Sequence, residues 1–150
     1  MTMTEDNLLA LDKQLCFRIY SLNKTMTKLY APLLKSIGLT YPQYLVMLVL
    51  WEANNNGVPV KHLTDRLDLD TGTLSPLLKR MEQAELVSRV RSQSDERSVT
   101  IALTRKGKAL REEAACIPER LFHQTGMSID ELSDIQSKLD TLLATARSKL

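Results

Sequence analysis

Apolar residues recur at intervals of three and four over most of this chain, and short polar breaks divide the pattern into helices. From about Asp6 to Ser36, Leu8, Leu11, Leu15, Ile19, Leu22, Met26, Leu29 and Leu33 hold the spacing, which predicts one long helix. Pro32 is expected to bend or divide it near its end, and Gly38 to stop it. Thr40 with Gln43 three residues later forms a capping box, and Pro42 sits in the first turn, so a second helix opens there. Tyr44 to Trp51 is apolar all round, the pattern of a helix central to the fold. The run NNNG after it is a turn, and Gly57 to Pro59 supplies a short strand. Val60 to Leu67 predicts a third helix with Val60, Leu63 and Leu67 inward.

The stretch from Leu69 to Leu103 reads as a helix followed at once by a β-hairpin. Asp70 and Thr71 are N-cap residues. Leu74, Leu77, Leu78 and Met81 form one apolar stripe, leaving Thr71, Thr73, Ser75, Pro76, Lys79 and Arg80 on or near the opposite face. Pro76 costs little in the first turn or shortly after it. In the hairpin, Val87, Arg89 and Arg91 share one strand face, and Val99, Ile101 and Leu103 alternate on the return strand. The tip, SQSDERS, is too polar to pack, and Asp95 is placed to pair with Arg97. These elements make the fold class mainly α with a small β-wing, a winged helix-turn-helix. An ordinary surface helix with solvated charges is the plain alternative for the helix taken alone.

Thr104 caps a fifth helix containing Pro118, where a kink or break is expected. Thr125 and Gly126 form a turn, and Ser128 with Glu131 makes another capping box at the start of a last helix running to about Ser148. Its apolar side carries Ile129, Leu132, Ile135, Leu139, Leu142 and Leu143. The terminal helices carry more apolar surface than a domain of this size needs, which predicts an intertwined homodimer built through the N- and C-terminal helices. On this division, residues 1–38 and 105–150 dimerise and residues 39–104 carry the winged helix-turn-helix.

Composition narrows the function classes. The 150 residues suit one domain, and 43% hydrophobic with 25% charged is ordinary for a soluble chain. No apolar run approaches a membrane span and no secretory signal is legible, so a cytoplasmic protein with no membrane partner is expected. From Arg89 to Arg111, seven Lys/Arg face two acids, a local balance of +5 against +2 for the whole chain. Charge concentrated in this way is the footprint of a phosphate-binding surface. No metal-ligand spacing, phosphate loop or catalytic histidine arrangement is present in the sequence, so no metal, cofactor or catalytic residue is expected.

The run SDERSVTIALTRKG, following a helix that ends LLKRMEQAELV, resembles the wing signature of the multiple antibiotic resistance regulator (MarR) family of winged-helix dimers. The resemblance extends over almost the whole chain. It implies that the helix from about Thr71 to Ala84 enters the major groove of double-stranded operator DNA and that Arg97 reaches the minor groove. A two-fold dimer would read a pseudopalindrome with half-sites about 34–36 Å apart. The expected DNA-binding residues are Thr71, Thr73, Ser75, Pro76, Lys79, Arg80, Arg89, Asp95 and Arg97.

Cys16 is flanked by Lys13 and Arg18, with Tyr20 one turn on. Cations and tyrosine hydroxyls favour a thiolate, the form that reacts with a peroxide to give a sulfenic acid. A buried cysteine acting as a small apolar residue is the plain alternative. Cys16 with Tyr20, followed by KLYAPLL and LTYPQYLVMLVLWE, resembles the organic hydroperoxide resistance regulator (OhrR) branch. That resemblance implies that Cys16 is the redox sensor and that Tyr30 and Tyr41 of the other subunit hydrogen-bond it, with an organic hydroperoxide as the inducer. It also makes Cys116 the candidate resolving cysteine, with a small thiol or an inert helix cysteine as the alternatives.

Three functions compete at this stage. The first is a repressor released from its operator by oxidation of Cys16. The second is a repressor of the same fold released by a small aromatic ligand, with Cys16 structural. The third, a thiol peroxidase using Cys16 and Cys116, is disfavoured because neither cysteine sits in a thioredoxin-like βαβ pattern.

Overall fold

The structure, a computed structural model, describes residues 9–54, 56–91 and 98–150. A 3-10 turn at Leu11–Lys13 precedes α1 (Leu15–Lys35) and α2 (Tyr41–Glu52). Then come β1 (Val58–Pro59), α3 (Val60–Leu67), α4 (Thr71–Gln83), β2 (Val87–Arg91) and β3 (Val99–Leu103). The chain closes with α5 (Arg105–Ala114), α6 (Ile117–Thr125) and α7 (Ile129–Arg147). Two compact units result, Met1–Ala115 and Cys116–Leu150. The first is a winged helix-turn-helix, mainly α with a small antiparallel sheet of order β1-β3-β2.

α1 begins at Leu15, well after the start that the apolar spacing predicts. Gln14 is extended (φ −80, ψ 115) and separates α1 from the 3-10 turn, while residues 6–8 lie outside the described residues. The four-residue spacing of Leu11 and Leu15 survives a one-residue break, so periodicity alone does not reveal it. Leu9, Leu11 and Leu15 are all exposed, so these leucines bury little that would continue the helix through Gln14. Pro32 does not divide α1. It removes one N–H, the donor to the Lys28 carbonyl, but the adjacent Leu33 and Leu34 are buried and hold the last turn in place. Gly38, at φ +70, then ends the helix, with the Leu39 N–H donating to the Leu34 carbonyl at 3.0 Å and the Gly38 N–H to Lys35 at 3.1 Å. The pair is a Schellman cap, whose left-handed residue favours glycine.

α2 is the centre of the first unit. Its capping box forms as expected, the Thr40 N–H donating to Gln43 Oε1 at 2.9 Å and the Gln43 N–H to Thr40 Oγ1. Tyr44, Val46, Met47, Val49, Leu50 and Trp51 are buried, and Leu48 alone of that run's large apolar side chains is exposed. β1 pairs with β3 through Val58↔Ile101, and a Cβ on Gly57 would fall 2.4 Å from Thr100 Cγ2, so the strand entry is closely packed.

A clasp joins the end of α4 to the start of α5. The Thr104 hydroxyl accepts from the Gly107 N–H at 3.0 Å and reaches the Glu85 and Leu86 carbonyls, while the Thr104 N–H donates to Leu86. Trp51 Nε1 donates to the Gly107 carbonyl at 2.9 Å within the core. Thr104→Ala removes the cap and is expected to cost about 1–2 kcal/mol, read as a lower urea midpoint at unchanged m-value.

The fifth helix breaks as Pro118 predicts. α5 stops at Ala114 and α6 restarts at Ile117, with Pro118 in its first turn, where no N–H is missed. In the second unit, α7 carries the expected Ser128–Glu131 capping box. None of its residues is buried, and Ile129, Ile135, Leu139, Leu142 and Leu143 lie exposed. In the first unit, Leu15, Phe17, Ile19, Tyr20 and Leu22 of α1 are likewise exposed. No described helix is long and apolar enough to cross a membrane.

Candidate DNA interface and cysteine site

α4 is anchored by Leu74, Leu77, Leu78 and Met81, all buried, and this fixes what its other face shows. Thr71, Thr73, Ser75, Pro76, Lys79 and Arg80 are all exposed. Of the two expected caps only Asp70 is one; Thr71 is the first helical residue. The Thr73 N–H donates to Asp70 Oδ1 at 2.7 Å and the Thr73 hydroxyl to Oδ2 at 2.9 Å. The Thr73 hydroxyl is therefore already spent as a donor and offers its lone pairs outward. Pro76 is the sixth residue of the helix, so it cannot supply the N–H that would reach the Gly72 carbonyl. The turn from α3 is tight, with Asp68 left-handed at φ 51 and the Leu69 N–H donating to Thr64 at 3.2 Å.

These two bonds from Thr73 hold the Asp70 carboxyl below its ordinary 3.8, the backbone N–H first and the hydroxyl second. Folding thus favours the ionised form. The cap's contribution is complete above pH 3.8 and is lost as pH falls through the lower folded value. Asp70→Asn, which keeps one N-cap oxygen but loses the charge and the second acceptor, is expected to lower the melting temperature slightly at neutral pH and to flatten that acid limb below pH 4.

The hairpin keeps the expected alternation on both strands, and its register follows. Val87, Arg89 and Arg91 oppose Leu103, Ile101 and Val99 on one face. The expected pairing of Asp95 with Arg97 lies outside the described residues. Arg89 does not stand free. Its Nε lies 3.4 Å from a Glu82 carboxylate oxygen, and its guanidinium donates to the Ser75 carbonyl at 3.5 Å. Lys106 also turns to α4, donating to the Ala84 carbonyl at 2.9 Å just past the helix's C-terminus. Two of the seven cations counted in this basic stretch are therefore engaged with the recognition-type helix itself.

Cys16 is exposed and is the second residue of α1, whose N-cap Gln14 makes no side-chain cap. The break at Gln14 is what gives Cys16 a helix N-terminus, with N–H groups of the first turn lacking intrahelical partners. One turn on, Lys24 Nζ lies 5.1 Å over the ring of Tyr20. Tyr30 and Tyr41 are brought together, their ring centroids 4.8 Å apart, and Tyr44 lies 5.7 Å from Tyr30. Burial, then the neighbouring Tyr44 and Tyr41 hydroxyls, push Tyr30 up to about 12, and burial also raises Tyr41 and Tyr44. All three phenols therefore remain protonated donors at neutral pH. Sequence reading placed Tyr44 only in an apolar run; its spacing from Tyr41 on one helix face was the available signal.

Fourteen residues of α1 separate Cys16 from Tyr30, a rise of about 21 Å, so the two do not meet within one chain. Cys116, exposed, is the N-cap residue of α6 in the second unit, and neither cysteine is in a disulfide.

Residues 28–114 match the family model of the SarA/Rot transcriptional regulators. Over 139 residues, 93% of each chain, the protein is 47% identical to the organic hydroperoxide resistance transcriptional regulator of Bacillus subtilis (strain 168). Reduced AbfR bound to DNA, a protein of Staphylococcus epidermidis, aligns with a TM-score of 0.80 at 34% identity, covering 95% of this chain and 99% of that one. The disulfide form of AbfR aligns at 0.61, with 33% identity and coverage of 96% and 94%.

Proposed function

This chain belongs to the MarR/SarA-type winged-helix DNA-binding transcriptional regulators, and from that premise we propose that it represses by binding operator DNA as a homodimer and lets go when an organic hydroperoxide oxidises Cys16. The observation that carries the reading is Cys16, exposed in the first turn of a helix that offers no side-chain cap. The Cys16 thiolate attacks the distal peroxide oxygen and the O–O bond breaks. The alkoxide leaves, takes a proton and becomes an alcohol, and the sulfur is left as a sulfenic acid. Tyr30 and Tyr41, protonated donors, serve the cysteine of the second subunit, since their own Cys16 is out of reach. Resolution by Cys116 or by a small thiol returns water and gives a disulfide.

The apolar residues exposed on α1 and on α7 support the two terminal regions, 1–38 and 105–150, as the dimer surfaces. Residues 39–104 then present α4 to the major groove, with Thr71, Thr73, Ser75, Pro76, Lys79 and Arg80 toward bases and phosphates. Arg97 takes the minor-groove role that the resemblance implies for it. AbfR, a relative of this chain, is known both reduced on DNA and with a disulfide formed, which supports thiol chemistry as the switch. One equivalent of cumene hydroperoxide with dimedone is expected to add one dimedone to Cys16 by peptide mass mapping. Labelling absent from Cys16 would refute the reading.

A further inference from the structure

We propose that Arg89 is a positioning residue that locks the wing to the recognition helix through Glu82, and that the phosphate-contact role expected of it is not its role. The inference rests on the operator-binding reading above. Arg89 leaves β2 in register with Ile101, a fully buried residue at the centre of the sheet, so its starting point is rigid. From there its guanidinium spans two points of α4, the Glu82 carboxylate and the Ser75 carbonyl seven residues earlier. Two turns of one helix gripped by one planar group fix that helix's rotation and pitch against the hairpin, which a single ammonium could not do. Glu82 turns the Arg89 guanidinium toward α4 and answers part of its charge. Glu82 is an acid on the helix that this reading brings to a polyanion, and direct electrostatics alone would count it as a cost.

That last point makes the two roles separable. If Arg89 served phosphates, removing Glu82 would free it and tighten binding. If it positions, removing Glu82 loosens the wing and weakens binding. The test uses the full-length dimer and a fluorescein-labelled 30-base-pair duplex that the wild-type protein selects from a random library, titrated by anisotropy at several salt concentrations. Glu82→Gln and Arg89→Gln are each expected to weaken binding about tenfold, the size of two exposed ion pairs in a two-fold complex. The double variant is expected to be no weaker than either single one. The slope of log affinity against log salt is expected to stay at the wild-type value. Arg89→Lys, which keeps the charge and loses the two-point grip, is expected to bind like Arg89→Gln.

Unchanged or tighter binding by Glu82→Gln would overturn the proposal, as would additive losses in the double variant. Rescue by Arg89→Lys, or a shallower salt slope for Arg89→Gln, would return Arg89 to the phosphates. Failure of the wild-type protein to select any duplex would instead count against the operator-binding reading, so the two failures are distinguishable. Both side chains are partly exposed, and matching thermal melts establish that the variants are folded.

Discussion

Gly107→Ala is expected to destabilise the protein by about 3 kcal/mol and to lower its melting temperature by about 10 °C. In an exposed helix the same change would stabilise by about 0.5–1 kcal/mol, because glycine is the poorer helix former. The sign here is set by space. A Cβ on Gly107 would lie 2.2 Å from the Leu86 carbonyl oxygen and 3.2 Å from Leu103 Cδ2, and the nearer atom is backbone that carries the Thr104 N–H. Separating α5 from Leu86 would also strain the buried bond from Trp51 Nε1 to the Gly107 carbonyl, whose loss costs about 1–3 kcal/mol. Overpacking and that bond together outweigh the helix-propensity gain. Urea denaturation monitored by Trp51 fluorescence measures the result directly; stabilisation would mean that α5 does not approach Leu86 so closely.

The second large effect is kinetic. Tyr30→Phe and Tyr41→Phe are each expected to slow oxidation of Cys16 by about 10- to 100-fold, the value of one hydrogen bond to a charged group at about 1.4 kcal/mol per decade. The phenols are suited to the task because burial and mutual proximity hold them protonated, Tyr30 up to about 12. Removing the hydroxyl leaves the tilted ring contacts of Tyr30 with Tyr41 and Tyr44 in place, so stability is expected to change little. Stopped-flow oxidation with cumene hydroperoxide gives the second-order rate constant. Rates equal to wild type in both variants would remove the tyrosines from the sensing step.

The local elements were legible because each has a signature confined to a few residues. The capping boxes at Thr40 and Ser128, the break before Pro118 and the stop at Gly38 each depend on chemistry within one turn. The faces of the two hairpin strands followed from alternation, although their register did not, since a two-residue slip leaves the alternation unchanged. The relations across the fold were not legible. The Arg89 to Glu82 contact spans a turn between a helix and a strand, and a basic residue on a basic hairpin reads as a nucleic-acid contact until its partner is seen. The close packing of Gly107 has no local signature, because the atom it must avoid, the Leu86 carbonyl, lies 21 residues earlier in the chain. The start of α1 was missed for the opposite reason: the apolar spacing was too regular to reveal that Gln14 is extended. That break sets Cys16 at the beginning of a helix, the feature on which the proposed sensing role rests.

The central claim is that oxidation of Cys16 releases the operator. Its most direct test is anisotropy of the labelled duplex with wild type and Cys16→Ser in parallel, before and after one equivalent of cumene hydroperoxide, then after dithiothreitol. The account predicts that wild-type affinity falls about 100-fold, toward the upper end of ordinary coupling between sites, and recovers with the reductant. Cys16→Ser is predicted to hold the duplex throughout. Binding that survives peroxide in both proteins would contradict the account and make a small aromatic ligand the inducer to test next.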